Sequence, residues 1–524
     1  MSLSTNQKLY ARIAFLLLFG IANPAASAAD DEPKRPNILL IYADDQSYKT
    51  ISCYEANPSW VQTPNIDALA RRGVRFHRAY LGAWCMPSRA SILTGRLQHG
   101  IKTMRMVGKY PGSEYDPEQC PFIPAQMRKQ GYQTAQIGKW HTGVDAGFGR
   151  DWDHQIVWNR PANPENAGNY FYDQVLSENG KQRRDAGYST DNYTEWAVDY
   201  INEAGHSGED PWFLWLCYGA VHGPTTPAER HKGLLDGKTT TPPTDILGPW
   251  PEKPSYLSNS AVWIRTSDGT LAMKKKNVPK SNFNVNDAGK SFNDWIEQMN
   301  ECNMAIDEGV GRVMKALKDS GQLENTIVIY TADQGYGLGE HGFNQKVAPY
   351  DATIASPLII SQPGVIPAGA FCDQPVNAPD LMRYVCARAQ VNIPWRTDGR
   401  DITSLVHTPT EVNWTQPMLF THTGRKYGQD TMQVPVDKSL TEVGNVPWYA
   451  MLRSGKYKYV RTLCQGEPEE LYDLDADPEE LTNLAFNSQH HAMVKRLRQE
   501  TQRQLAVSKA GFADAMPAVR PLDP

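Results

Sequence analysis

The chain has 524 residues, enough for about three domains of roughly 150 residues or for one large α/β domain with an appendage. It carries 53 Lys and Arg against 58 Asp and Glu, a formal net charge of −5. The basic residues are spread along the chain, which argues against nucleic acid as the main partner but leaves room for an anionic substrate met by a few cations in one cleft.

At the N-terminus Lys8 and Arg12 precede the apolar run from Ile13 to Ile21, and Ala26-Ser27-Ala28 stands before an acidic stretch. These are the three parts of a secretory signal peptide, residues 1–28, with cleavage near Ala28. The run falls far short of the roughly 20 apolar residues that span a bilayer, and no later stretch is apolar enough to do so. The expectation is an exported product, periplasmic or secreted, without stable membrane insertion. Export permits disulfides. If Cys85 is set aside for chemistry, an odd number of the 8 cysteines remains and no Cys-x-x-Cys metal pattern appears.

Asn37 to Ala43 is an almost unbroken apolar run ending in Asp44-Asp45-Gln46, the pattern of a central strand covered on both faces. Thr63-Pro64 opens a helix, with Thr63 as its cap and Pro64 at its first position. Val74 to Phe76 is a short strand. Cys85-Met86-Pro87-Ser88-Arg89 begins a helical segment with Pro87 read at the first helical position, where free backbone amides favour a bound anion. Pro121 to Gly131 is a helix, and Tyr132 to Gly138 a strand that delivers Lys139, Trp140 and His141 at its carboxyl end. Asp191 to Glu203 is a helix, and Trp212 to Tyr218 a strand followed by His222.

From Gly223 to about Lys290 prolines cluster and Lys274-Lys275-Lys276 sits among polar residues; this reads as a long excursion over the site-bearing face. A long helix runs from Phe292 toward Asp319, then Thr326 to Thr331 is a core strand ending in Asp333-Gln334. Pro357 to Ile360 is a strand, and Ala378 to Ala389 a helix. Beyond about Thr410 spaced strands (Pro417 to Thr421, Tyr449 to Thr462, Glu470 to Leu474) and a helix near His490 to Leu505 indicate a second unit. The alternation predicts an α/β fold, a large, mainly parallel sheet between helices over 29–410, with a smaller α+β domain over 411–524 carrying an antiparallel sheet.

Ligands of open α/β sheets gather at the carboxyl ends of the strands, where Asp44, Asp45, Asp333 and Gln334 fall. Three carboxylates and an amide oxygen make a hard site suited to Ca²⁺ or Mg²⁺ over a thiophilic metal. Cys85 lies beside the fixed fork of Arg89 and reads as a nucleophile.

The string Cys85-x-Pro87-Ser88-Arg89 followed by Leu93-Thr94-Gly95-Arg96 resembles the signature of the type I sulfatases, within the alkaline phosphatase superfamily. Gly138-Lys139-Trp140-His141, the histidine of Ala220-Val221-His222-Gly223-Pro224, the loop Gly337 to Gly342 with Lys346, and the Leu471-Tyr472-Asp473-Leu474 turn resemble further segments of that family. The resemblance implies an alkaline phosphatase-like fold and hydrolysis of sulfate esters, with sulfated polysaccharides or their oligosaccharides as substrates. It implies that a maturation enzyme oxidises Cys85 to formylglycine, whose hydrate carries one hydroxyl to attack sulfur and a second to expel sulfate. It also implies that the oxygen of residue 85 completes the cation shell formed by Asp44, Asp45, Asp333 and Gln334. In that scheme Arg89 holds the diol and Asp333 is the base, while Lys139, Lys346 and His222 neutralise sulfate charge. His222 or Lys346 protonates the departing alcohol and His141 deprotonates the second hydroxyl. Two other readings are carried: a formylglycine-dependent phosphodiester or phosphonate monoester hydrolase, and a non-catalytic exported glycan-binding protein with an intact thiol at Cys85.

Overall fold

The computed structural model describes residues 34–522 apart from 103–104, 108–111, 115, 208–209, 275–288 and 438–441. The expected signal peptide and two of the three lysines at 274–276 lie outside the described residues. Residues Arg35–Pro524 form one compact unit.

An 11-stranded sheet forms its centre. Five neighbouring strands are parallel, in the order Thr326–Ala332, Asn37–Ala43, Trp212–Cys217, Gln133–Lys139 and His154–Trp158. Every residue of Asn37–Ala43 and of Trp212–Cys217 is buried, which is why these segments read as continuous apolar runs instead of alternating ones. Leu39 and Ile41 face one hydrophobic layer, formed with the helices Pro64–Ala70, Ser189–Ser207 and Phe292–Asp319. Ile38, Leu40 and Tyr42 face the other, formed with Cys85–Thr94, Ile123–Lys129 and Ala378–Arg388. Ser356–Ser361 adds antiparallel to Thr326–Ala332 and to Val74–Tyr80 on one flank. On the other flank the hairpin Tyr172–Glu178 and Lys181–Tyr188 adds antiparallel to His154–Trp158.

A second, four-stranded antiparallel sheet runs Met418–His422, Tyr449–Ser454, Tyr457–Thr462, Glu469–Asp473. The helix His491–Val507 covers it, burying Val494, Leu497 and Leu505 against Trp448, Ala450 and Leu452.

Three local expectations are corrected. Cys85 itself is the first residue of its helix, so Pro87 is third; its missing N–H still falls among the orphan donors of the first turn. Thr63 makes no side-chain cap, because its hydroxyl is engaged with Ser52 and Asp67. The excursion after His222 is not wholly irregular: it contains the short helix Tyr256–Ser260 and the hairpin Trp263–Arg265 with Leu271–Met273. All 8 cysteines are free thiols.

Candidate active site

Four adjacent parallel strands end level with one another, since Ala43 pairs with Ala332, Tyr42 with Cys217 and Gly138 also with Cys217. The residues that follow are therefore brought together: Asp44 and Asp45, Asp333 and Gln334, Lys139 and His141, and His222. Gly138 has φ 104° and a Cβ there would lie 2.0 Å from the Cys217 carbonyl oxygen, so only glycine lets these two strands close up beside Lys139. Asp45 and His141 are themselves in the left-handed region, at φ 58° and 62°; such backbone costs of order 1–3 kcal/mol and clusters at functional sites.

The helix Cys85–Thr94 points its N-terminus at these strand ends. Cys85 Sγ lies 3.3 Å from His141 Nδ1, and ligand atoms of Asp44, Cys85 and Asp333 lie within 4.8 Å of one another. Arg89 NH1 donates to the Lys139 carbonyl at 2.9 Å, and NH2 sits 3.4 Å from Asp333 Oδ2. Ser88 fixes the helix by donating to the Asp333 carbonyl at 2.5 Å. Lys139 Nζ donates to Asp44, Lys346 Nζ donates to Asp45 at 2.5 Å, and Gln334 Nε2 also donates to Asp45. The Asp45 amide donates to Asp333 Oδ1 at 3.0 Å. His222 Nε2 lies 3.7 Å from Asp45 Oδ2. All ten residues expected from the sequence thus converge on one cluster, and His141 and His222, at 5 % and 8 % exposure, are its most exposed members.

The electrostatics follow from burying opposite charges together. Burial raises the Asp44 carboxyl, but Lys139, His222, Arg89 and Lys346 outweigh it and hold the group well below the usual range. Asp333 goes the other way: burial and the neighbouring Asp44 push it well up against the pull of Arg89. Asp45 is raised, by burial first and Asp44 further, with Lys346 opposing. Burial depresses both His141 and His222 well below the ordinary imidazole value, with Lys139 adding for His141, Lys346 and Lys139 for His222, and Arg160 for each. Burial would discharge Lys346, yet Asp45 and its acidic neighbours keep it well above the ordinary ammonium value.

The donor set fits a hard cation. Asp44 Oδ1 and Gln334 Oε1 are buried acceptors with no hydrogen-bond partner, and buried acceptors of this kind are rare unless something binds them. Asp44, Asp45 and Asp333 supply the remaining oxygens, the chemistry that selects Ca²⁺ or Mg²⁺ over thiophilic metals.

Sequence reasoning missed two residues at the mouth. Tyr170, 3 % exposed, stacks on His222 with centroids 4.2 Å apart and planes 6° from parallel, and Arg160 NH1 donates to its hydroxyl at 2.7 Å. Both come from the connection between His154–Trp158 and Tyr172–Glu178, where no motif marks them.

The sulfatase family model matches residues 36–391, and the model described as the C-terminal region of N-sulphoglucosamine sulphohydrolase matches 339–506. N-acetylglucosamine-6-O-sulfatase of Bacteroides thetaiotaomicron is 27 % identical, over 94 % of this chain and 90 % of that protein. A protein solved in complex with its substrate D-glucosamine-2-N,6-O-disulfate aligns with a TM-score of 0.74 at 24 % identity, over 92 % of this chain and all of the other. The phosphonate monoester hydrolase of Agrobacterium radiobacter aligns with a TM-score of 0.64 at 21 % identity, over 90 % of this chain and 96 % of the other. Such structural likeness reaches sulfur and phosphorus hydrolases alike and shows the fold alone, whereas the family model covers most of the chain, the Cys85 helix and all four strand ends included. The chain belongs to the sulfatase family of the alkaline phosphatase superfamily and is a sulfuric ester hydrolase.

Proposed function

We propose that this enzyme removes sulfate from sulfated polysaccharides or their oligosaccharides, with 6-O-sulfated glucosamine residues as the first substrates to test. The carrying observation is the convergence of Cys85, Lys139, His141, His222 and Lys346 around three carboxylates whose buried surroundings leave Asp44 Oδ1 and Gln334 Oε1 without partners. The choice of sugar rests on the similarity to N-acetylglucosamine-6-O-sulfatase. Residues 1–28 direct export, the catalytic part extends to about residue 410, and the remainder forms the C-terminal part.

The Sγ of Cys85 stands in for the hydroxyl oxygen of the mature residue. Converted to formylglycine by a maturation enzyme, residue 85 supplies a hydrated aldehyde with one hydroxyl for attack on sulfur and another for expelling sulfate. Asp44, Asp45, Asp333 and Gln334, with residue 85, would hold Ca²⁺ or Mg²⁺, which would supply charge that the sulfate oxygens need. The chain does the rest. Arg89, tied to the Lys139 carbonyl and to Asp333, fixes the helix turn that carries residue 85. Asp333, beside it, receives the proton of the attacking hydroxyl. Lys139 and Lys346 are pre-aimed by Asp44 and Asp45, so their charge needs no reorganisation as the equatorial oxygens become more negative. His222 protonates the departing sugar oxygen, and His141, with Nδ1 3.3 Å from Sγ, takes the proton of the second hydroxyl.

The test couples mass spectrometry of the residue-85 peptide with sulfate-release assays on defined O6-sulfated glucosamine saccharides. Release by protein bearing the aldehyde, abolished in Cys85→Ala, supports the reading. Full activity with an intact thiol overturns the covalent scheme, and an inert protein with an intact thiol favours a glycan-binding role. Faster turnover of a phosphonate or phosphodiester than of any sulfate ester would transfer the proposal to the related hydrolases, whose fold is shared.

A further inference from the structure

We propose that Tyr170 is a positioning residue for His222, holding the imidazole by its face so that Nε2 stays turned toward the reacting sulfate; this rests on the role given to His222 above. His222 Nδ1 is 2.6 Å from the Gly223 carbonyl, an acceptor, so Nδ1 carries a hydrogen whether the ring is neutral or protonated, and Nε2 is the nitrogen that faces the cluster and exchanges the catalytic proton. One hydrogen bond leaves the ring free to rock about it. Tyr170 removes that freedom: the two planes lie 6° apart at 4.2 Å. Its hydroxyl oxygen is 3.4 Å from Nε2, but with the planes parallel that approach is from above the imidazole plane. The in-plane position of Nε2, which carries the proton that His222 passes to the departing oxygen, therefore remains open to the substrate.

Tyr170 is itself rigid. Its carbonyl accepts from Ser189 Oγ at 2.8 Å and from Gln174 Nε2 at 3.2 Å. Its ring meets Trp158 at 4.5 Å, and Arg160 NH1 fixes its hydroxyl at 2.7 Å. Lys139 Nζ also lies 5.2 Å from the Tyr170 ring centre, but Lys139 is already held by its ion pair with Asp44. The residue that depends on the phenol ring is His222.

The experiment uses the full-length enzyme in four forms, wild type, Tyr170→Phe, Tyr170→Leu and Tyr170→Leu with His222→Gln, alongside His222→Gln alone. Sulfate released from glucosamine 6-sulfate is read by ion chromatography, and His222 mobility by imidazole ¹⁵N NMR. Tyr170→Phe keeps the stacked ring and should retain kcat within about threefold, whereas Tyr170→Leu should lose about tenfold in kcat with KM within about twofold. In the His222→Gln background Tyr170→Leu should cost less than about twofold, because the group it orients is gone. Exchange broadening of the His222 nitrogens should appear in Tyr170→Leu and be absent from wild type and Tyr170→Phe. Equal losses in the two backgrounds, a Tyr170→Phe variant as impaired as Tyr170→Leu, or sharp His222 lines in all three proteins would overturn the proposal. A wild type that releases no sulfate from this sugar would count against the substrate reading, while the NMR comparison still decides the role of Tyr170.

Discussion

Lys139 and Asp44 are both fully buried and bonded to each other. Removing one member of such a pair leaves an uncompensated charge and typically costs about 3–5 kcal/mol, so Asp44→Asn should lower stability as well as abolish turnover. The same oxygen-rich cluster makes a second outcome specific. Millimolar Ca²⁺ should raise the melting temperature of the wild type, by up to about 2.7 kcal/mol of stability at a hundredfold excess over Kd, and should leave Asp44→Asn unmoved. Melting curves with Ca²⁺ and with excess chelator measure both; an equal shift in the two proteins would place the ion elsewhere. Asp44, Asp45 and Asp333 were legible in the sequence because they stand at the ends of strands that are mostly apolar and buried along their whole length. Tyr170 and Arg160 were not, because they reach the site from a connection whose shape depends on the flanking hairpin.

At the level of elements, the close approach of Gln133–Lys139 to Trp212–Cys217 depends on Gly138. With a Cβ only 2.0 Å from the Cys217 carbonyl oxygen and φ 104°, Gly138→Ala must part the strands or twist the chain that carries Lys139 and His141. Its cost should exceed about 3 kcal/mol in urea denaturation, with activity lost in whatever protein remains folded. Gly149→Ala is the control: φ is 78° but nothing lies within 4 Å of its Cβ, so only the backbone penalty of about 1 kcal/mol applies. The parallel strands declared themselves by burial on both faces, and the long helix by its spacing. The hairpin at the flank did not, even though Asn179-Gly180, both at positive φ, is a strong turn signal. The strand after it, Lys181–Tyr188, is largely exposed and charged, so no apolar run announced it. The hairpin Trp263–Arg265 with Leu271–Met273 was hidden for a related reason, three-residue strands inside a proline-rich stretch.

For the molecule as a whole, acid should act through buried neutral histidines outside the catalytic cluster. Burial depresses His422 to about 3 and His99 to about 4. Neither ring nitrogen of His422 has a hydrogen-bond partner, while His99 bridges Thr421 and Ser508, each at 2.9 Å. Unfolded histidine titrates near 6.5, so between that pH and the depressed value the unfolded chain binds more protons than the folded one. Stability therefore falls as pH drops below 6.5, by up to about 1.4 kcal/mol per pH unit for each such group, and stops falling on this account at the folded-state value. Denaturant titrations at pH 7.5, 6 and 5 should show the decline, and His422→Leu should flatten it by about one proton; an unchanged slope would remove His422 from the explanation.

The loop bearing Lys346 is braced from the far end of the chain. Tyr449 donates to the Val347 carbonyl at 2.7 Å, Tyr350 donates to Glu470 at 2.7 Å, and Lys458 bridges Asp351 at 2.8 Å and Glu480 at 2.7 Å. Residues 449–480 are thus the scaffolding of a lysine encoded well before them. A nascent polypeptide leaves this lysine loop unbraced until residue 480 has left the ribosome, and a stop codon before Tyr449 yields a product with every reactive group present and Lys346 unset.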